Sequence, residues 1–440
     1  MAPRESRKYD IVLLGATGYT GALTAEHLAR HAPTDLRWAL AGRSQAKLDA
    51  LATKLKGINP DRPEPSTEVI SIDDREALHA LMGSARVCIS IVSYWSVGAL
   101  VVEACVESGT DYLDAEGDTP TLREWFDKYH DKAAANGVRL IHACAMHTAP
   151  HDLLTWVAVR DLAERHSTET EEVIMAIEEA RQEASGGTVE SIAKQMAGRT
   201  ARAAEEDPWY LSPRQGAALP ATTPSPSGAL GVRHDARLGA LSASSFGAPQ
   251  NRAIVHRTWG LLTGLPNSSS NSGSGYGYGP GFRYTEYEKA GSAPSGALRV
   301  AARRLAAAVI GSGPLFALAR RLLPAEGDGP DVDASRRAVL KMEVHAVAAA
   351  AAAADGDGDG DGDGEPRRVR ARLSYAGGPY LVTALFLAEG AVSLLLLRRR
   401  RGEGPLEGGV GGGCLTPAML GAELLGRARK AGVEIDVGDV

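Results

Sequence analysis

The first fifty residues constrain this chain most. Tyr9-Asp10-Ile11-Val12-Leu13-Leu14 runs directly into Gly15-Ala16-Thr17-Gly18-Tyr19-Thr20-Gly21. Ile11, Val12, Leu13 and Leu14 form the continuous apolar run of a strand buried on both faces. Ala22, Leu23, Ala25, Leu28 and Ala29 then recur at helical spacing. The glycines alone are weak evidence. Glycine is 50 of 440 residues, so three at this spacing arise by chance about 0.6 times in such a chain. The flanking strand and helix turn the pattern into a phosphate cradle. Gly18 lets backbone amides approach a pyrophosphate, whose charge the helix N-terminus favours. Gly21 lets the helix pack close to the sheet.

A second apolar run, residues 36–41, ends in Gly42-Arg43-Ser44. An NAD site carries an acid here for the ribose 2′-hydroxyl. This chain has Arg43 instead, whose fork of donors suits a 2′-phosphate. Ser44 stands beside it, and Lys47, one turn into the next helix, adds charge. Asp73, after the third strand pattern, is expected near the adenine. The cofactor expected is therefore NADP.

Residues 9–142 alternate between strand and helix patterns. Such alternation predicts a doubly wound parallel sheet of Rossmann type with helices on both faces. At 440 residues the chain is long enough for two domains. Residues 1–150 read as the cofactor domain and 151–415 as an α+β domain. Within the latter, residues 212–295 are rich in Pro, Ser and Gly and read as a loop or disordered insert. The five Asp-Gly pairs of residues 355–364 read as a solvated hairpin tip, making 350–366 a second flexible insert. Residues 416–440 are expected to form a helix returning to the first domain.

Net charge of −6 gives no general case for nucleic acid. The charged N-terminus is not a secretory signal, and a cytoplasmic location is expected. Cys88, Cys105, Cys144 and Cys414 show no metal spacing and read as small apolar residues in a reduced compartment. Residues 380–397 are the one membrane candidate. Glu389 near their middle would cost about 3 kcal/mol in a bilayer, which favours a helix buried against the second-domain sheet.

These motifs resemble the saccharopine dehydrogenase-like oxidoreductases, including the mycobacterial trans-acting enoyl reductases. The resemblance covers almost the whole chain. It rests on the glycine turn, Ala41-Gly42-Arg43-Ser44, Val101-Val102-Glu103-Ala104-Cys105 and Gly109-Thr110-Asp111-Tyr112-Leu113-Asp114. Glu326-Gly327-Asp328-Gly329-Pro330, Gly378-Pro379-Tyr380 with Thr383-Ala384, and Leu415-Thr416-Pro417-Ala418 follow in the family's order. Three loops depart from it. Val92-Ser93-Tyr94 replaces the family's Gly-Pro-Tyr, and Gly117-Asp118 its Gly-Glu. Ala145-Met146-His147-Thr148 replaces Gly-Phe-Asp-Ser ahead of Pro150-His151-Asp152.

Loops after strands four to six of such a sheet face its ligand crevice. Tyr94, Asp114, Glu116, Asp118, His147 and Asp152 fall there. Reduction needs a proton donor once hydride has arrived, and Tyr94 and His147 are the candidates. Tyr94 reads alternatively as a wall of the nicotinamide pocket and His147 as a loop histidine; Ser93 and Tyr94 are expected to contact the cofactor, while Asp114 and Asp152 read as loop braces. The resemblance implies an NADP-dependent oxidoreductase acting on a lipid-like small molecule, such as an enoyl or carbonyl intermediate. The alternative is a non-catalytic NADP-binding scaffold at a membrane or lipid-droplet surface, touching lipid through residues 298–323 and Arg398 to Arg401. A homodimer is compatible with either.

Overall fold

The computed structural model of the protein describes residues 4–180, 185–197, 207–216, 227–263, 276–319, 329–349, 366–399 and 406–440. The strand–helix alternation folds as its hydrophobic pattern requires. The strands are β1 (Tyr9–Leu14), β2 (Trp38–Gly42), β3 (Ser66–Val69), β4 (Ala85–Ser90), β5 (Asp111–Asp114) and β6 (Arg139–Ile141). Between them lie α1 (Tyr19–His31), α2 (Gln45–Ile58), α3 (Arg75–Gly83), α4 (Ala99–Ser108) and α5 (Thr119–Ala135). Asp74 and Asp118 cap α3 and α5, each accepting a backbone amide of the first turn. Every pairing in this sheet is parallel. The residues of β1 and β2 are all buried, as a sheet covered on both faces demands.

The second domain follows with α6 (Ala149–His166), β7 (Thr170–Glu179), α7 (Gly186–Ala197), β8 (Val232–Asp235), β9 (Gly239–Ser242) and α8 (Ala248–Leu262). Then come β10 (Tyr278–Ala290), α9 (Ala293–Gly311), α10 (Gly313–Ala319), α11 (Val332–Arg336), β11 (Val339–Ala348), β12 (Arg368–Ala376) and α12 (Pro379–Arg399). The chain ends with β13 (Gly413–Leu415), a 3-10 turn Pro417–Leu420, α13 (Gly421–Lys430) and β14 (Glu434–Asp439). The first sheet has the order β13-β6-β5-β4-β1-β2-β3 and the second β14-β12-β11-β7-β10-β9-β8. The second is mixed: β7 and β10 run parallel, whereas β11 and β12 form the antiparallel hairpin read from the sequence.

Three expectations are corrected here. Residues 212–295 are not one loop: they contain the β8–β9 hairpin, the buried helix α8 and the thirteen-residue strand β10. Residues 264–275, and most of 350–366 with its Asp-Gly pairs, lie outside the described residues. The C-terminal segment is more than a returning helix. It is β13, before residue 416, that joins the first sheet beside β6, while β14 extends the second sheet along β12. Finally, α12 is buried against α1, β4 and β5 of the first domain rather than on the second-domain sheet. Leu385, Phe386, Leu387 and Leu394 on it are almost fully buried, and each such side chain contributes roughly 1.5–3 kcal/mol. Its mean hydropathy of 2.0 would suit a bilayer by length and composition, yet 83% of that apolar window is covered by protein.

Candidate functional site: a glycine cradle and a buried acid

The cradle forms where β1 meets α1. Gly15 has φ +83°, and a methyl group there would lie 2.5 Å from the Ile91 carbonyl oxygen. One on Gly21 would lie 2.2 Å from the Gly15 oxygen. Both positions therefore exclude a side chain, while Gly18, the N-cap of α1, is exposed. Ala22 donates its amide to the Gly18 carbonyl. The amides of Tyr19, Thr20 and Gly21 precede the first intrahelical bond and are available to an anion. Ala16 is buried, and its amide bonds the Ala41 carbonyl. Thr17 sits at van der Waals distance from the Gly42 position, which brings the turn to the end of β2.

Arg43 and Lys47 are exposed there without a partner among the described residues, and Ser44 is the N-cap of α2 with no side-chain cap bond. Asp73 is exposed after β3, next to the cap residue Asp74. An unpaired guanidinium beside open amides fits the phosphates of NADP. Arg43→Ala is expected to weaken NADPH binding about 10- to 100-fold, as loss of a charge-assisted bidentate contact does, and to leave NADH binding within about twofold. Equal weakening of both in calorimetry would refute the 2′-phosphate role.

Two later motifs close on the cradle. The Tyr19 hydroxyl donates to the Pro330 carbonyl at 2.8 Å, and a methyl on Gly329 would collide with the Tyr19 ring. Tyr19 also meets Tyr380 edge-on at 5.1 Å between ring centroids. Tyr380 in turn shares a hydrogen bond with Thr188 at 2.6 Å. The second domain thus seats its Gly-Pro and Gly-Pro-Tyr turns on the helix that would carry the pyrophosphate.

The other end of the crevice lies over β4, β5 and β6. Ile91 and Val92 touch the Gly15 turn, and Ser93 is half-buried beside them. Tyr94 opens a π-helical turn, Tyr94–Gly98, and its side chain lies outside the described residues. Asp114 braces the loops. It accepts the amides of Glu116 at 3.1 Å and Ala143 at 2.9 Å, and binds His142 Nδ1 at 2.7 Å. Burial opposes protonation of His142, but Asp114 outweighs it and raises the imidazole to about 9, so His142 is protonated at neutral pH. Ala143 has φ +56° to reach that contact, a conformation that costs a residue with a side chain about 1–2 kcal/mol.

Glu116 is the group these loops enclose. It is 2% exposed; Oε1 accepts the Asp118 amide, while Oε2 is buried without a partner. Burial, together with the neighbouring Asp114 and Asp118 carboxylates, pushes its carboxyl well above the usual range. Next to it, a methyl on Gly117 would lie 3.0 Å from both His147 Nε2 and the Gln250 amide. His147 keeps some exposure overall, but that Nε2 is sealed and unpartnered. Burial and nearby His151 lower its pKa to about 4, so His147 is neutral at physiological pH.

Behind these loops stand residues from the segment read as an insert. Gln250 donates to the Thr148 hydroxyl, which bonds Asn251; Asn251 and the Tyr284 hydroxyl both bond Glu286, each at 2.8 Å. His151 Nε2 lies 3.8 Å from the same carboxylate. The apolar spacing of Ala253, Ile254, Val255, Leu261 and Leu262 was the available signal for α8. Asp152 is a brace: its carboxylate takes the Thr258 hydroxyl at 2.7 Å and the Ala418 amide at 2.8 Å. The Pro-x-Asp and Leu-Thr-Pro-Ala motifs therefore meet in space.

The family described as saccharopine dehydrogenase NADP binding domain matches residues 11–141. A protein of Mycobacterium tuberculosis H37Rv named for trans-acting enoyl reduction is 32% identical over 98% of this chain and 97% of its own. The chain belongs to this saccharopine dehydrogenase-like family. The trans-acting enoyl reductase of Mycobacterium ulcerans is 30% identical over 98% of this chain and 97% of its own. Saccharopine dehydrogenase (L-Glu forming) from Saccharomyces cerevisiae aligns over 98% of this chain at 14% identity with a TM-score of 0.49, a likeness that carries no functional argument. The protein is an NADP-binding oxidoreductase.

Proposed function

We propose that this oxidoreductase uses NADPH to reduce a polarised double bond, an enoyl or carbonyl group, on a hydrophobic, lipid-type substrate. The observation that carries the reading is the open cradle together with a buried carboxyl after β5, Glu116, whose burial favours the protonated form. Bound NADPH supplies the hydride. The chain's part is to bind the phosphates at residues 15–21 and Arg43, exclude water over the 114–118 loop, and hold the proton on Glu116. That proton goes to the α-carbon of an enoyl group, or to the oxygen of a carbonyl, as hydride adds at the other end of the bond. Both His147 and Tyr94 stay in this proposal: His147 as a neutral hydrogen-bond donor beside Gly117, Tyr94 as a pocket wall or alternative donor. Similarity to proteins named as trans-acting enoyl reductases supports that substrate class.

A second reading, a non-catalytic NADP scaffold at a lipid surface, has one feature in its favour. Leu298, Leu305, Leu315 and Leu318 on α9 and α10 are all more than half exposed, and such a patch marks an interaction surface. Arg398 does not add to it, because it turns inward onto Asp111. The test is consumption of NADPH by purified protein with a long-chain enoyl thioester or ketone. Turnover supports the reductase, and His147→Asp is expected to alter its rate. No consumption with either compound, in wild type or H147D, favours the scaffold.

A further inference from the structure

Opposite the cofactor loops, the N-terminal ends of β4, β5 and β6 open onto a cavity of about 250 Å³. Arg4, Arg86, Arg139 and Arg398 line it around Asp111, with an apolar wall from the end of α12. The cavity thus gathers four guanidinium groups, of which Arg4 and Arg398 pair with the fully buried Asp111 carboxylate. Arg398 Nη2 bonds Asp111 Oδ1 at 2.7 Å and Arg4 Nη1 approaches the same oxygen at 3.5 Å. Arg86 is turned to Asp10, which it shares with Arg37. Arg139 is 5% exposed; its Nε donates to the Gly411 carbonyl at 3.5 Å, and its Nη1 is buried with no partner among the described residues.

Charge and hydrogen bonding are both unbalanced there. A buried donor without an acceptor is costly, more so when charged, and like charges around one cavity oppose ionisation. Burial, with Arg398 and Arg4 nearby, lowers Arg139 to about 10. A multiply charged anion in the cavity offsets the excess positive charge, and guanidinium forks match phosphate oxygens geometrically.

We propose that this cavity binds a phosphate-class dianion at a site separate from the NADP cradle. Its volume exceeds that of the phosphate group alone, and the apolar wall gives the ester substituent a place. The phosphate can come from a soluble phosphomonoester or from a lipid headgroup such as phosphatidic acid.

The test uses the full chain saturated with NADP+, so that the cradle is filled. Inorganic phosphate is titrated against chloride at matched ionic strength, followed by calorimetry and thermal unfolding. Saturable phosphate binding is expected, weakened at least about tenfold in Arg139→Met and in Arg4→Gln, with NADP+ affinity unchanged. Arg4 lies at the rim, so R4Q carries the test if R139M fails to fold. Vesicles with and without phosphatidic acid separate the sources. Cosedimentation that R4Q abolishes assigns the lipid, whereas phosphate binding without vesicle binding assigns the soluble ester. Phosphate acting no differently from chloride, or R4Q binding phosphate like wild type, overturns the proposal.

Discussion

Glu116→Gln is expected to lower NADPH-dependent turnover by about 10²- to 10⁴-fold, the usual worth of a positioned acid, while leaving NADPH affinity within about twofold. Glutamine keeps the shape and the acceptor for the Asp118 amide but has no proton to give. The pH dependence follows from the same carboxyl. Its folded pKa lies above its unfolded value because burial and Asp114 disfavour the anion. The neutral donor is therefore present below the folded pKa, and wild-type turnover falls as pH rises through it. E116Q should lack that alkaline limb. Stability has the same sign: the contribution of the neutral buried acid is complete below the unfolded pKa and is lost as pH rises through the folded one. Wild type should thus lose more stability than E116Q on the alkaline side. Unchanged turnover in E116Q, with the loss appearing instead in Tyr94→Phe, would move the donor to Tyr94.

The cradle was readable because every constraint on it is local. Gly15 and Gly21 are required by backbone atoms within their own turn and by the neighbouring β4 end, and Arg43 follows β2 directly. The β11–β12 hairpin was readable for the same reason. The donor site was not. Glu116 is an ordinary loop acid until Asp114, Asp118 and the fold around them bury it. Gln250, which faces the adjoining Gly117, sits on α8, more than a hundred residues along the chain. That helix is buried on nearly all sides, so Asn251, His256, Arg257 and Thr258 interrupt its apolar pattern while pairing with distant partners. The Gly, Ser and Pro around it then dominate the composition. Gly413–Leu415 is equally opaque: three residues after a glycine run become a sheet strand only because β6 offers a free edge.

The apolar character of α12 was plain in the sequence, but which solvent it meets is decided by Glu389. Its Oε1 binds His27 Nε2 at 2.9 Å, and its Oε2 binds Arg427 Nε at 2.6 Å. The carboxylate side chain is 3% exposed and that of Arg427 is 14% exposed. One acid therefore ties α12 to both α1 and α13. Glu389→Ala removes the acceptor and strands a largely buried guanidinium, which costs about 3–5 kcal/mol. The expected result is a large drop in the urea midpoint. E389L combined with R427M, which removes acid and guanidinium together, should recover much of it, since apolar replacement of a whole buried pair is often neutral or stabilising. A helix whose apolar face met lipid would behave oppositely: E389A alone would ease its insertion and increase binding to neutral vesicles. An unchanged urea midpoint together with vesicle binding would remove α12 from the core of this fold.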